Sequence, residues 1–375
     1  MNEYEEYEET YSQEEIDLIS LGKSYYENEK YEDTIDIFLE LINLNPDNYE
    51  SWHYLGMSYA QIKEYKKAIG FLLKAIEYNP EEELDWCWLG YSYNENEQYQ
   101  EAIDSLLKAV ELNPENDNNW YELGRSYNGN KQYREAIESL LKAVELNPND
   151  EDNWYWLALA YFQNGQYKKT EEALLKAIEI KPDYYACWCG LILSYKKMED
   201  FINEIEACKQ LIKLNPDDDI GWEYLGNAYY KNEQYKEAIE SFLKTVELNP
   251  ENDNNWYWLG KSYCKNKYYE KAIESLLKAI ELNPNDEYNW LWLGNSYIGL
   301  KDYNNAIQSY EKGIEINSTN CNMLNNYGVA LANLNRIEEA KKCFEKALEI
   351  DSDYNLAREN IDNLISSDIC KVSIL

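Results

Sequence analysis

The sequence predicts an all-α protein, a solenoid of helix-turn-helix hairpins, and three observations predict it. First, Trp52, Trp86, Trp120, Trp154, Trp188, Trp222, Trp256 and Trp290 stand 34 residues apart without one insertion. A fixed period of about 20–50 residues marks a repeat architecture in which each unit buries its apolar face on the next. Second, Leu follows each of these Trp by three residues and Tyr by seven, as in Leu55 and Tyr59 or Leu259 and Tyr263, with Gly between them at Gly56, Gly90, Gly124, Gly226, Gly260 and Gly294. The offsets 0, +3, +4 and +7 line one face of a helix. Third, Pro80, Pro114, Pro148, Pro182, Pro216, Pro250 and Pro284 each follow a second apolar run, such as "EAIDSLLKAVEL" at 101–112. Proline disfavours a helical residue before it and cannot continue the ladder, so it ends that second helix.

Taken in order, Ser12-Gln13-Glu14-Glu15 fits a capping box that opens the first helix. Residues 1–14 are acidic and expected to be a disordered tail. Residues 15–354 divide into ten copies of 34, the first carrying Leu18, Leu21, Gly22, Tyr25, Phe38 and Pro46, the last Leu324, Tyr327, Gly328, Ala340, Phe344 and Ala347. Residues 355–367 form a final amphipathic helix that covers the last apolar face, and 368–375 a tail. Second helices carry acids four residues before lysines (Asp104/Lys108, Glu138/Lys142, Glu172/Lys176, Glu240/Lys244, Glu274/Lys278), the pattern of a solvated face. Two copies depart from the rule of small residues where the paired helices approach: the fifth has Ala158 and Thr170, the sixth Ile192 and Glu204. A change of helix spacing or curvature over 151–218 is one expectation, local repacking the other.

Composition narrows the function. Asp and Glu number 71 against 35 Lys and Arg, a formal charge of −36, which argues against nucleic acid or an anionic membrane as partner. The N-terminus has neither a basic region nor an apolar run, and no stretch approaches the roughly 18–20 apolar residues that span a bilayer. Eight thinly spread cysteines read as free thiols, and the expected location is the cytoplasm. Catalysis needs convergent groups, and the sequence offers none: His53 stands alone, and no phosphate loop, GxSxG or HExxH occurs. The thiols of "CWC" (Cys187, Cys189) lie about 200° apart on a helix, too far round to chelate one ion. No cofactor and no metal are expected, and the chain reads as no enzyme.

On these residues the chain resembles the tetratricopeptide repeat (TPR) family, whose 34-residue consensus has a large residue at position 4, Leu at 7, Gly at 8, Tyr at 11, Ala at 20 and 27 and Pro at 32. The resemblance implies a right-handed superhelix whose first helices line a concave groove through positions 2, 5, 6, 9, 12 and 13. Position 6 here runs Ser20, Tyr54, Trp88, Glu122, Trp156, Gly190, Tyr224, Trp258, Trp292 and Asn326, with Tyr121, Tyr155 and Tyr257 beside it at position 5. These rings form an aromatic ladder that either contacts a peptide or stiffens the stack against the next repeat. Over the groove positions, acids dominate the first half (Glu27, Glu50, Glu95, Glu122, Asp152). Bases dominate the second (Lys196, Lys197, Lys231, Lys261, Lys265). The clamp by which some family members hold a chaperone's C-terminal carboxylate is not supplied by any three consecutive copies. The sequence therefore predicts a protein-interaction module that takes a protein or peptide segment in this groove, its acidic end at the C-terminal half. The alternative is a self-associating scaffold that uses its end faces or convex side.

Overall fold

A computed structural model describes residues 12–365, and among them it is helix and tight turn with no strand. The helices are α1 (Gln13–Glu27), α2 (Tyr31–Leu44), α3 (Tyr49–Gln61), α4 (Tyr65–Tyr78), α5 (Glu83–Glu95), α6 (Tyr99–Leu112), α7 (Asp117–Gly129), α8 (Tyr133–Leu146), α9 (Glu151–Gln163), α10 (Tyr167–Ile180) and α11 (Tyr185–Met198), followed by α12 (Phe201–Leu214), α13 (Asp219–Lys231), α14 (Tyr235–Leu248), α15 (Asp253–Lys265), α16 (Tyr269–Leu282), α17 (Glu287–Gly299), α18 (Tyr303–Ile316), α19 (Cys321–Asn333), α20 (Ile337–Ile350) and α21 (Asn355–Ile365). The chain divides after Ser194, inside α11, into two compact units. In the first, α1/α2 through α9/α10 form hairpins that stack in order; in the second, α13/α14 through α19/α20 do the same, and α21 lies against α19 and α20. Each unit is thus the all-α stack of helical hairpins that the period predicts. The tails expected at 1–14 and 368–375 lie outside the described residues except for Ser12 onward, where the capping box forms and α1 begins at Gln13. No described helix is long and apolar enough to cross a membrane.

Glycine at position 8 has a steric reason. A Cβ added at Gly56 would lie 2.5 Å from Leu72 Cγ, and one at Gly260 2.6 Å from Leu276 Cγ. Where position 8 is glycine, the second helix therefore seats a large side chain directly on the first. That side chain is fully buried in Leu72, Leu106, Leu140, Phe242 and Tyr310. The Trp at position 4 is only half-buried, and it has a job the period did not disclose. Each indole N–H donates to the carbonyl of the Pro six residues earlier, from Trp52 on Pro46 (2.9 Å) to Trp290 on Pro284 (3.0 Å). The ring both closes the edge of the core and fastens the turn between repeats, satisfying a carbonyl at a helix end.

Within each hairpin the turn is a Schellman motif. Gln132 N–H reaches Tyr127 O at 2.8 Å and Lys131 N–H reaches Asn128 O at 3.0 Å, with Lys131 at φ 62°. The same left-handed residue is Glu29, Lys63, Glu97, Glu199, Glu233, Lys267, Lys301 or Asn335 in other copies, and Gly only at Gly165. A side chain in this region costs about 1–2 kcal/mol, partly offset by the greater freedom Gly has when unfolded. Lys131→Gly is therefore expected to stabilise the chain by about 0.5–1 kcal/mol. A denaturation midpoint that fails to rise in this variant would count against the strain.

One local expectation is corrected. Lys108, Lys142, Lys176, Lys244 and Lys278 do not pair with the acid four residues before them; each reaches forward to the acid three residues on, as Lys108 to Glu111 at 2.9 Å and Lys278 to Glu281 at 2.8 Å. Both spacings are neighbours on a helix, and such exposed pairs are worth well under about 1 kcal/mol. The choice between them carries little energy.

Candidate functional site

The rings named from the sequence are all half-buried. In the first unit, Tyr54 lies flat on Phe38 (ring centroids 5.0 Å apart, planes within 3°) and edge-on to Tyr26 at 5.3 Å. Trp88 meets Tyr91 edge-on at 5.5 Å, and Tyr155 touches both Trp156 (6.1 Å) and Tyr184 (5.3 Å). Tyr54 stacks on the preceding hairpin, whereas the ring-to-ring contacts of Trp88, Tyr155 and Trp156 lie within their own copies.

Charges in the first unit are used internally. Lys23 pairs with Glu50 at 2.7 Å. Arg125 donates to both oxygens of Glu122 (3.1 Å each) and to Glu95 Oε1 (2.8 Å), and its guanidinium lies over Tyr121 and Trp156 at 5.7 and 5.0 Å. Glu122 stands where neighbouring copies carry a ring, and it is buried, accepting also from Asn94 at 3.4 Å. Burial raises its pKa against the pull of Arg125. Three of the groove charges counted one by one in the sequence, Glu95, Glu122 and Arg125, thus form one network here, in which Arg125 continues the ladder that Glu122 interrupts.

In the second unit the arrangement is different. Trp258 lies nearly parallel to Phe242 (6.1 Å, 13°) and meets Tyr230 and Tyr257 edge-on at 5.4 Å each. Lys261, one turn along α15, holds its ammonium 4.2 Å from the Trp258 centroid, 5.2 Å from Tyr230 and Tyr257 and 5.3 Å from Trp292. It donates to the Tyr257 hydroxyl at 3.2 Å, and Lys265 sits 5.4 Å from Trp292. Cation–π contact favours the charge, but desolvation, with Lys231 and Lys265 close by, pushes the Lys261 pKa down to about 8. None of Lys196, Lys197, Lys231, Lys261 and Lys265 forms an ion pair with an acid among the described residues. Tyr224 is half-buried.

Sequence reasoning passed over His53. Its Nδ1 lies 2.7 Å from Asp85 Oδ1, while the Tyr49 hydroxyl donates to Asp85 Oδ2 at 2.7 Å. Asp85 is fully buried. No spacing within one repeat could have disclosed this cluster, because Asp85 comes from the following copy. Among the described residues no group of His, Cys, Asp or Glu is arranged to hold a metal ion. Cys187 is buried, and Cys189 is half-buried.

Comparison with known proteins gives a consistent answer. Tetratricopeptide repeat models match residues 49–82 and 254–286, 152–184, 207–240, and 288–320 and 322–354. A TPR repeat model matches 124–165 and 226–267. Shorter segments resemble anaphase-promoting complex, cyclosome, subunit 3 (71–143) and a protein prenyltransferase alpha subunit repeat (31–60). No curated protein sequence matches the chain. Among solved structures, the C-terminal part of a TPR repeat-containing protein from Cytophaga hutchinsonii superposes with a TM-score of 0.54 at 20% identity, covering 64% of this chain and 98% of its own. A MamA protein is 28% identical over 45% of this chain and 92% of its own, with a TM-score of 0.42. YrrB, described as a TPR protein with an unusual peptide-binding site, is 24% identical over 50% of this chain and 97% of its own, with a TM-score of 0.43. With repeat models matching most of residues 49–354 and hairpins stacked within each unit, the chain belongs to the tetratricopeptide repeat family.

Proposed function

We propose that the chain is a non-enzymatic interaction module that binds an extended segment of a protein partner along its first helices, and that acidic groups of this segment meet α13 and α15. The observation that carries this reading is the lysine set of the second unit. In a chain of net charge −36, no direct ion pair among the described residues takes up Lys196, Lys197, Lys231, Lys261 or Lys265, although Lys196 and Lys231 act on Glu204 through space, and Lys261 is held among four aromatic rings although this depresses its pKa to about 8. An uncompensated cation beside desolvated rings is stabilised by an incoming carboxylate, and large rings with one free face are the material of binding hot spots. The partner is a protein, not nucleic acid, because the summed field repels a polyanion.

The experiment is fluorescence anisotropy with a fluorescein-labelled peptide bearing four glutamates, compared with its four-lysine counterpart. Trp258→Ala/Trp292→Ala is expected to weaken the glutamate peptide by about tenfold or more, as hot-spot truncation does, with helical circular dichroism retained. Lys261 loses its proton as pH rises through about 8, so affinity should fall between pH 7 and pH 9. Equal binding of the two peptides, or a double variant that unfolds, would overturn the reading.

A further inference from the structure

The row of position-6 rings has an empty place. In two copies the seat of the ring is fully defined: Tyr54 lies on Phe38 and against Tyr26, and Trp258 lies on Phe242 and against Tyr230. Phe38 and Phe242 are position 24 of the preceding repeat, and Tyr26 and Tyr230 are its position 12. Two copies without a ring fill the place with polar groups, Glu122 with Arg125, and Asn326 with Asn295 at 2.9 Å. The sixth copy has Gly190 there, with no side chain at all.

What lies over Gly190 is a cavity of about 440 Å³, within the roughly 300–1,000 Å³ of sites that take organic groups. Its lining includes Leu174 and Phe162, the position-24 and position-12 residues that seat the ring elsewhere, together with Tyr155, Leu159, Cys189 and Leu193. Thr170 also lines it, but its hydroxyl lies 3.2 Å from Gln166 O, its partner within α10. The rest of the wall is apolar or aromatic apart from Gln163. The cavity is shaped by the repeat for an aromatic ring that the chain does not provide.

We propose that the cavity at Gly190 takes an aromatic side chain of the partner polypeptide, which completes the ladder at the place where the chain leaves it open. The proposal rests on the groove reading above and adds a hydrophobic anchor in the first unit to the acid-binding lysines of the second. A ring stacked over Leu174 and edge-on to Phe162 gains burial and aromatic contact there. The peptide backbone that carries it stays in the open groove, where its polar groups keep their water.

The test uses the full chain and two acetylated, amidated pentapeptides, Gly-Gly-Trp-Gly-Gly and Gly-Gly-Leu-Gly-Gly, with free indole as a third probe, followed by saturation-transfer NMR and calorimetry. The tryptophan peptide should bind at least about tenfold more tightly than the leucine peptide, and more tightly than indole. Gly190→Trp should abolish this binding and raise the melting temperature, since its own ring then fills the seat. The added Cβ would meet the flexible end of Leu174 at 2.9 Å, which can shift. Should that variant not fold, Leu193→Lys, at an exposed position on the cavity rim, makes the same test. Equal binding of the two peptides, no binding of either, or indole binding as well as the tryptophan peptide would each overturn the proposal. The glutamate peptide separates the two claims: if Gly190→Trp leaves it bound while the tryptophan peptide never binds, only the anchor falls.

Discussion

His53→Ala is expected to destabilise the first unit by roughly 1–3 kcal/mol, the usual effect of leaving a buried polar group without one of its hydrogen-bond partners. Asp85 has no exposed surface, and its carboxylate is met by His53 at 2.7 Å and by the Tyr49 hydroxyl at 2.7 Å. Without His53 a buried carboxylate keeps a single donor. Because repeat arrays unfold piecewise, the loss should be read locally, as faster amide exchange in α3 and α5, rather than from one global transition. The double variant His53→Leu/Asp85→Leu removes both polar partners and should recover most of the loss. If the single variant exchanges as slowly as the parent chain, the cluster does not hold the second and third copies together.

The second large effect lies at Glu204. The equivalent residue is a fully buried alanine at Ala68, Ala102, Ala136, Ala238, Ala272 and Ala306. Glu204 is 3% exposed, and its Oε2 has no hydrogen-bond partner. Burial pushes its pKa from 4.5 up to about 7, although Lys196 and Lys231 pull the other way. The folded chain thus holds this proton more tightly than the unfolded chain does. Its effect on stability is most favourable below pH 4.5, declines as pH rises toward about 7, and is constant beyond. At about 1.4 kcal/mol per unit the loss is roughly 3 kcal/mol. Glu204→Gln should therefore raise stability at pH 8 by up to that amount while leaving pH 4 unchanged. A parent chain whose denaturation midpoint shows no decline between pH 4.5 and 7 would rule the buried carboxylate out as its cause.

Much of the architecture was legible without coordinates. The period, the helix faces, the Asn-Pro stops and the first capping box all depend on residues within one 34-residue copy, where spacing and local propensity decide the outcome. The position-6 rings were likewise found by their register. What their register could not say is how much of each ring the preceding hairpin covers. It also counted Arg125, Glu122 and Glu95 as separate groove charges, whereas Arg125 gathers both acids, one of them 30 residues away.

By itself, then, the sequence determined the repeat, its two helices, the face each presents and the family. Tertiary structure alone decided which charges neutralise each other, that His53 guards Asp85, that Glu204 is buried without a full set of partners, and that Gly190 leaves a cavity instead of a bare surface. The division has a physical cause. Helix formation and facing are set by neighbours three and four residues apart, which a one-dimensional pattern records. Charge pairing, burial and cavities arise between side chains about one repeat apart, and their energies depend on distances and desolvation that exist only once the hairpins have stacked.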